Sequence, residues 1–145
     1  MASSDLSRFV ERQRLEYARA LEEITSGRKS GHWIWFIFPQ IVGLGQSPES
    51  VTFGLAGLAE ARAYMAHPVL APRLEACAHA LLAVEGRTIM EILGKTDAMK
   101  LRSCATLFAA VTPPGSVFER LLAKYHHGER DELTLRILRD QGETI

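Results

Sequence analysis

Trp33-Ile34-Trp35-Phe36-Ile37-Phe38 is a six-residue run without a polar side chain, preceded by Arg28-Lys29-Ser30-Gly31-His32 and closed by Pro39-Gln40. Such a run cannot face water on both sides, so the rest of the chain has to wrap it. Its aromatic and β-branched content favours a strand by propensity. No second strong strand candidate occurs elsewhere, however, and a lone strand leaves its backbone N–H and C=O groups unpaired. The run is therefore expected as a buried helical turn or an extended core segment.

The remainder of the sequence reads as helices. Leu6, Phe9, Val10, Gln13, Tyr17, Leu21 and Ile24 form one stripe, with Ser4 or Asp5 placed to cap its start and Gly27 to end it. Glu11, Arg12, Glu16, Arg19, Glu22 and Glu23 fall on the opposite face, expected to be solvated. Gly43 to Pro48 reads as a loop. A helix from Leu58 should stop at His67-Pro68, and another, with Pro72 in its first turn, should run until Gly86. Thr88-x-x-Glu91 and Ser116-x-x-Glu119 are capping-box patterns. Thr96 or Asp97 is placed to cap a helix reaching about Val111, and Asp131 to cap a last one carrying Leu135, Ile137 and Leu138. The expectation is an all-α fold, one compact domain over 1–145 with about six or seven helices and an aromatic core segment after the first. The first and last few residues are expected to be flexible.

Composition removes several function classes. With 145 residues, 47% apolar and 23% charged, the chain is a globular domain and not a disordered one. Lys plus Arg and Asp plus Glu both number 17, and zero net charge argues against a general nucleic-acid partner. No apolar run approaches the roughly 20 residues that span a bilayer, and no signal-peptide pattern opens the chain. No membrane is expected as a partner, and the expected location is cytoplasmic. Cys77 and Cys104 provide no disulfide framework.

Familiar cofactor and metal patterns are missing. Gly43-Leu44-Gly45 lacks the Lys-Ser/Thr ending of a phosphate loop, and Glu75-x-x-x-His79 offers only two ligands where a tetrahedral site needs three or four. No cofactor and no metal are therefore expected. Cys104 reads as a small core hydrophobe, and His126-His127 as cations favouring a helix end.

Two segments carry chemistry beyond packing. In Lys29-x-x-His32-Trp33-x-Trp35-Phe36 a cation and an imidazole stand beside aromatic walls that exclude water and can stack a planar ligand. In Asp97-x-x-Lys100-Leu101-Arg102-Ser103-Cys104 the pair Asp97 and Lys100 continues through Ser103 as a polar edge beside a buried stripe, as on a helix flanking a pocket. Equally open is a core aromatic cluster with a surface ion pair and hydroxyls bonding back to their own helix.

The string Gly27-Arg28-Lys29-Ser30-Gly31-His32-Trp33-Ile34-Trp35-Phe36-Ile37-Phe38-Pro39-Gln40 resembles the signature of the domain-of-unknown-function 1810 family of small bacterial and fungal proteins. Glu60 to Leu74, Asp97-x-x-Lys100-Leu101-Arg102-Ser103, Val117-Phe118 and Gly128-x-x-Asp131-x-x-Thr134-Leu135 resemble it as well. The resemblance runs from Leu6 to about Leu138 and implies a mainly α-helical fold, without an activity. The family usually has a second serine where Cys104 stands, which weakens any nucleophilic role for that thiol. It commonly has glycine in place of Ala71, and often serine in place of Gly31. The label calpastatin, carried by some members, implies a disordered inhibitor and does not suit an apolar-rich chain. The order of motifs is also loosely similar to that of NAD- and ADP-ribose-associated domains.

If the two polar segments converge, Lys29, Lys100 and Ser103 would hold a small anionic or nucleotide-like ligand, with Gln40 beside them and Trp33 or Trp35 stacking on it. Asp97 and His32 would be the catalytic pair, Asp97 stabilising an oxocarbenium-like centre if the ligand is an N-glycoside that is hydrolysed. The alternative is a non-catalytic protein-interaction or structural module. A third reading, nucleic-acid binding through Arg28-Lys29 and Lys100-Arg102, would show strong salt dependence.

Overall fold

The structure, a computed structural model, describes residues 5–145. The proposed Ser4 cap and the flexibility expected of the first residues lie outside the described residues. Among these there are nine helices and no strand: α1 Ser7–Ser26, α2 Ile34–Ile37, α3 Pro48–Thr52, α4 Leu58–Ala66, α5 Leu70–Leu82, α6 Ile89–Leu93, α7 Lys95–Ala109, α8 Val117–His126 and α9 Glu132–Asp140. The all-α expectation holds. The two elements beyond the expected number are α2, the helical turn inside the aromatic run, and α3, inside the stretch with no apolar periodicity to betray it.

Helix α7 lies at the centre, packed by α6, α8, α9, α2 and α4, while α1 packs on α5 and α2. Its central position explains why Leu101, Cys104, Ala105, Leu107 and Phe108 are all buried. A chain of rings ties the bundle together. Phe9 meets Tyr64 edge-on at 5.2 Å, Tyr64 meets Phe108 at 5.5 Å, and Phe108 stacks on Phe118 at 5.4 Å. The aromatic run is wrapped as its composition demands. Trp33, Ile34, Phe36, Ile37 and Phe38 are buried and only Trp35 is partly exposed.

The backbone of α2 is anchored by a side chain of α1. Gln13, buried on the apolar stripe, donates through Nε2 to the Phe36 carbonyl (2.6 Å) and to the Tyr64 hydroxyl (3.0 Å). A buried amide is tolerated there because both acceptors are in place.

Several caps differ in detail from the sequence expectation. Gly27 ends α1 in the left-handed conformation (φ 80°), as expected. The Thr88–Glu91 capping box is present and Asp131 caps α9. Ser116 caps α8, but Glu119 turns to the Gly115 N–H and not to Ser116, so that box is half closed. Neither Thr96 nor Asp97 caps α7. Gly94 holds the N-cap position without a side-chain bond, which frees the Asp97 carboxylate in the first turn. Asp5 sits one residue before the α1 N-cap Leu6, where its carboxylate accepts from Ser7. Helix α5 ends at Leu82, with Gly86 in the turn beyond it. Its start is supported by His67, whose Nδ1 accepts from the Val69 and Leu70 N–H groups at 3.1 and 3.2 Å.

Candidate functional site

The loop Arg28–His32 is built on Glu23, a residue of the face expected to be solvated. Its side chain is 12% exposed. Glu23 Oε1 accepts from Ser30 N (2.9 Å), Gly31 N (2.9 Å) and Trp33 Nε1 (2.8 Å), and Oε2 from Ser30 Oγ (3.0 Å) and Arg19 Nε (3.0 Å). Burial alone would raise this carboxyl, but the hydrogen bonds from Gly31, Ser30 and Trp33 outweigh it and hold it at about 2, below the ordinary 4.5. A second tie, from Lys29 N to the Ile92 carbonyl (2.8 Å), fixes the loop against the end of α6.

So held, the loop delivers Lys29 to α7. Lys29 Nζ lies 2.6 Å from Asp97 Oδ2, and Lys100 Nζ lies 3.4 Å from Asp97 Oδ1. Each ammonium also stands over an indole, Lys29 at 5.1 Å from the Trp33 ring centroid and Lys100 at 4.5 Å from that of Trp35. The two polar segments of the sequence therefore do converge. Two lysines share one carboxylate between two tryptophans, leaving one excess positive charge. The side chains of Lys29, Asp97 and Lys100 are 9%, 16% and 22% exposed, so Lys100 is the one that a solute reaches most readily.

Other site residues fall elsewhere. Trp33 is fully buried, with its N–H given to Glu23, and presents no face on which a ligand could stack. Ser103 is buried, and its hydroxyl donates back to Met99 O (3.2 Å). Thr106 likewise donates to Arg102 O (2.8 Å) while accepting from Asp131 N (2.9 Å). Cys104 is wholly buried, and burial pushes its thiol well above the ordinary range, so it is no nucleophile. Glu75 and His79 are exposed. Among the described residues no three His, Cys, Asp or Glu groups gather as a metal site would require.

Two recesses flank the segment between Ile41 and Leu55. The first, of about 240 Å³, has Gln40, Lys100 and Ser103 in its wall, together with Thr96, Ser50 and Asp131. The second, of about 580 Å³, is floored by Trp35, Phe36 and Phe53 and rimmed by Arg12, His32 and Glu49. His32 is exposed and belongs to this second recess, which Asp97 does not line. The proposed catalytic pair is thus divided between two places. Asp97 has both oxygens engaged by lysines, and it would have to give up a partner before meeting a substrate.

Arg12 was not visible as a site residue. It lies on the outer face of α1, and only the fold shows its guanidinium carbon 5.1 Å from the centroid of the Phe36 ring. Phe53 and Glu49 were missed with α3. No motif in the sequence distinguishes these three from ordinary surface residues.

The chain is all-α over its described residues. It belongs to the family described as "Protein of unknown function (DUF1810)", whose model matches residues 3–138. Among solved structures it is similar to the conserved hypothetical protein Rv1873 from Mycobacterium tuberculosis. The two are 47% identical over 93% of this chain and 96% of that chain, with a TM-score of 0.91. No curated protein matches the chain. Among the described residues no helix is long and apolar enough to cross a membrane.

Proposed function

We propose that the chain binds a small anionic, nucleotide-like ligand in the recess floored by Trp35, Phe36 and Phe53. The observation that carries this reading is the pairing of an aromatic floor with the Arg12 guanidinium and the His32 imidazole at its rim. The volume of about 580 Å³ falls within the usual range for small-molecule sites, about 300–1,000 Å³. A planar group gains from aromatic contact, while a guanidinium offers forked donors to a phosphate or carboxylate. Gln40, Lys100 and Ser103 border the neighbouring smaller recess and extend the polar surface available to a longer ligand. In this reading Lys29 and Asp97 are supports: they hold Lys100 against Trp35 and so fix one wall of the site. The proposal stops at binding, because a carboxylate shared by two ammonium groups is poorly placed to meet a glycosidic centre. A cytoplasmic location belongs to the same reading.

One observation favours the second reading, an interaction or structural module without chemistry. Trp33, Lys29 and Asp97 are nearly all withdrawn from solvent and account for much of the polar motif by packing alone. The experiment that separates the two is a titration of the intact protein with mononucleotides, ADP-ribose and NAD. Binding raises the thermal midpoint by mass action and alters tryptophan emission through Trp35. No change in either signal at millimolar ligand contradicts the proposal.

A further inference from the structure

The segment between Ile41 and Leu55 leaves the bundle and returns. It is closed at its base by the Ile41–Leu55 bridge, with Val42 N donating to Leu55 O and Leu55 N to Gln40 O, each at 2.8 Å. None of residues 42–54 is buried, α3 included, although Leu44 and Phe53 lean on the core. Between this excursion and Trp35 lies a gap of about 10 Å³, bordered also by Gln40, Glu49 and Ser50. That is room for about one water molecule. Trp35, Glu49 and Phe53 border both the gap and the aromatic-floored recess, so the two lie side by side.

Trp35 Nε1 is buried and has no hydrogen-bond partner among the described residues. The contrast with its neighbour is sharp, since Trp33 Nε1 donates to Glu23 at 2.8 Å. A buried N–H without an acceptor is costly, and native structures rarely keep one without a reason. Here the ring also carries the Lys100 ammonium 4.5 Å from its centroid. A cation over an indole draws electron density from the ring and makes its N–H a stronger donor. Glu49 borders both the gap and the recess, but among the described residues no cationic one lines the gap to offset it as Arg12 does at the recess, so an uncharged acceptor is favoured at Trp35.

We infer that the Trp35 indole N–H is a ligand-recognition donor, which takes a ring nitrogen or carbonyl oxygen from the planar part of the bound molecule when the α3 excursion shifts to admit it. This rests on the proposed binding reading and deepens it. Arg12 and His32 hold the anionic end at the rim, and Trp35 reads the edge of the base. The returning end is tied down, with Phe53 against Phe9 and Phe36 and with Arg8 donating to the Thr52 and Gly54 carbonyls. The part that shifts is Gly45 to Val51, where no residue is buried and the side-chain bonds join Ser47 only to Ser50.

The chain has two tryptophans, so a ¹⁵N-labelled sample gives two indole signals. The experiment is a titration of the full chain with AMP and GMP, alongside Trp35→Phe, which keeps a ring and deletes the donor. The expected result is a downfield move of the Trp35 indole proton on saturation, with the Trp33 signal unmoved. Trp35→Phe should lower affinity at least tenfold. If Trp35→Phe fails to fold, the indole signals of the unaltered protein decide. Binding to the unaltered protein with the Trp35 signal in place, or with affinity kept in Trp35→Phe, overturns this inference and leaves the binding proposal standing. Absence of binding by the unaltered protein overturns both.

Discussion

Lys29 Nζ and Asp97 Oδ2 are 2.6 Å apart, a contact that joins the loop before the aromatic run to the first turn of the central helix. Removing one partner from so enclosed a pair leaves an uncompensated charge. Asp97→Ala is therefore expected to cost about 3 kcal/mol, read from the midpoint and slope of urea unfolding. Replacing both ends, as in Lys29→Met with Asp97→Leu, should recover much of that loss. A single-variant cost below about 0.5 kcal/mol, the level of ordinary surface substitutions, would show the pair to be solvated.

Glu23 sets an acid dependence. Its carboxyl is held at about 2 in the fold against 4.5 ordinarily. A depressed acid stabilises the fold fully above its unfolded value and loses that contribution as pH falls through the folded one. The stability difference between the unaltered protein and Glu23→Gln should therefore be constant above about 4.5 and shrink steadily toward pH 2. Unfolding curves at a series of acid pH values test this. A difference that does not change with pH would mean that the loop does not depend on the charge.

Gln13 offers a test of the core that is separate from charge. Gln13→Leu fits the apolar stripe but strands the Phe36 carbonyl and the Tyr64 hydroxyl, both inside the fold. The expected cost is about 1–3 kcal/mol in chemical denaturation, despite the gain in hydrophobicity. A neutral or stabilising effect would show that neither acceptor relies on it.

Much of this fold was legible because its signals are local. The apolar stripe of α1, the Thr88–Glu91 box and the Asp131 cap all follow from spacing over a few residues. Burial of the aromatic run followed from hydrophobicity, and the lack of a partner argued against a strand, but helical turn and extended segment both stayed open until the fold showed α2. Convergence of Lys29 with Asp97 and Lys100 was one of two readings that the residue types left open, and the fold decides it. What could not be read depends on which way a side chain turns. Glu23 and Arg12 occupy the same helix face as truly solvated neighbours, and only the path of the loop after Gly27 withdraws Glu23 from water. His32 was placed with Asp97 because it adjoins Lys29 in sequence, yet it lies on the rim of the other recess. Trp33 and Trp35 differ by two positions, and only the fold decides that the first is sealed and the second borders a recess.

The central claim is that Arg12 and His32, above the floor of Trp35, Phe36 and Phe53, hold an anionic planar ligand. Calorimetric titration of AMP into the unaltered protein and into Arg12→Ala/His32→Ala measures it directly. Both residues are exposed, so the double variant should unfold at nearly the same temperature. The prediction is saturable binding to the unaltered protein and at least a tenfold loss in the variant. Equal affinity in the two proteins, or no binding heat from either, would contradict it.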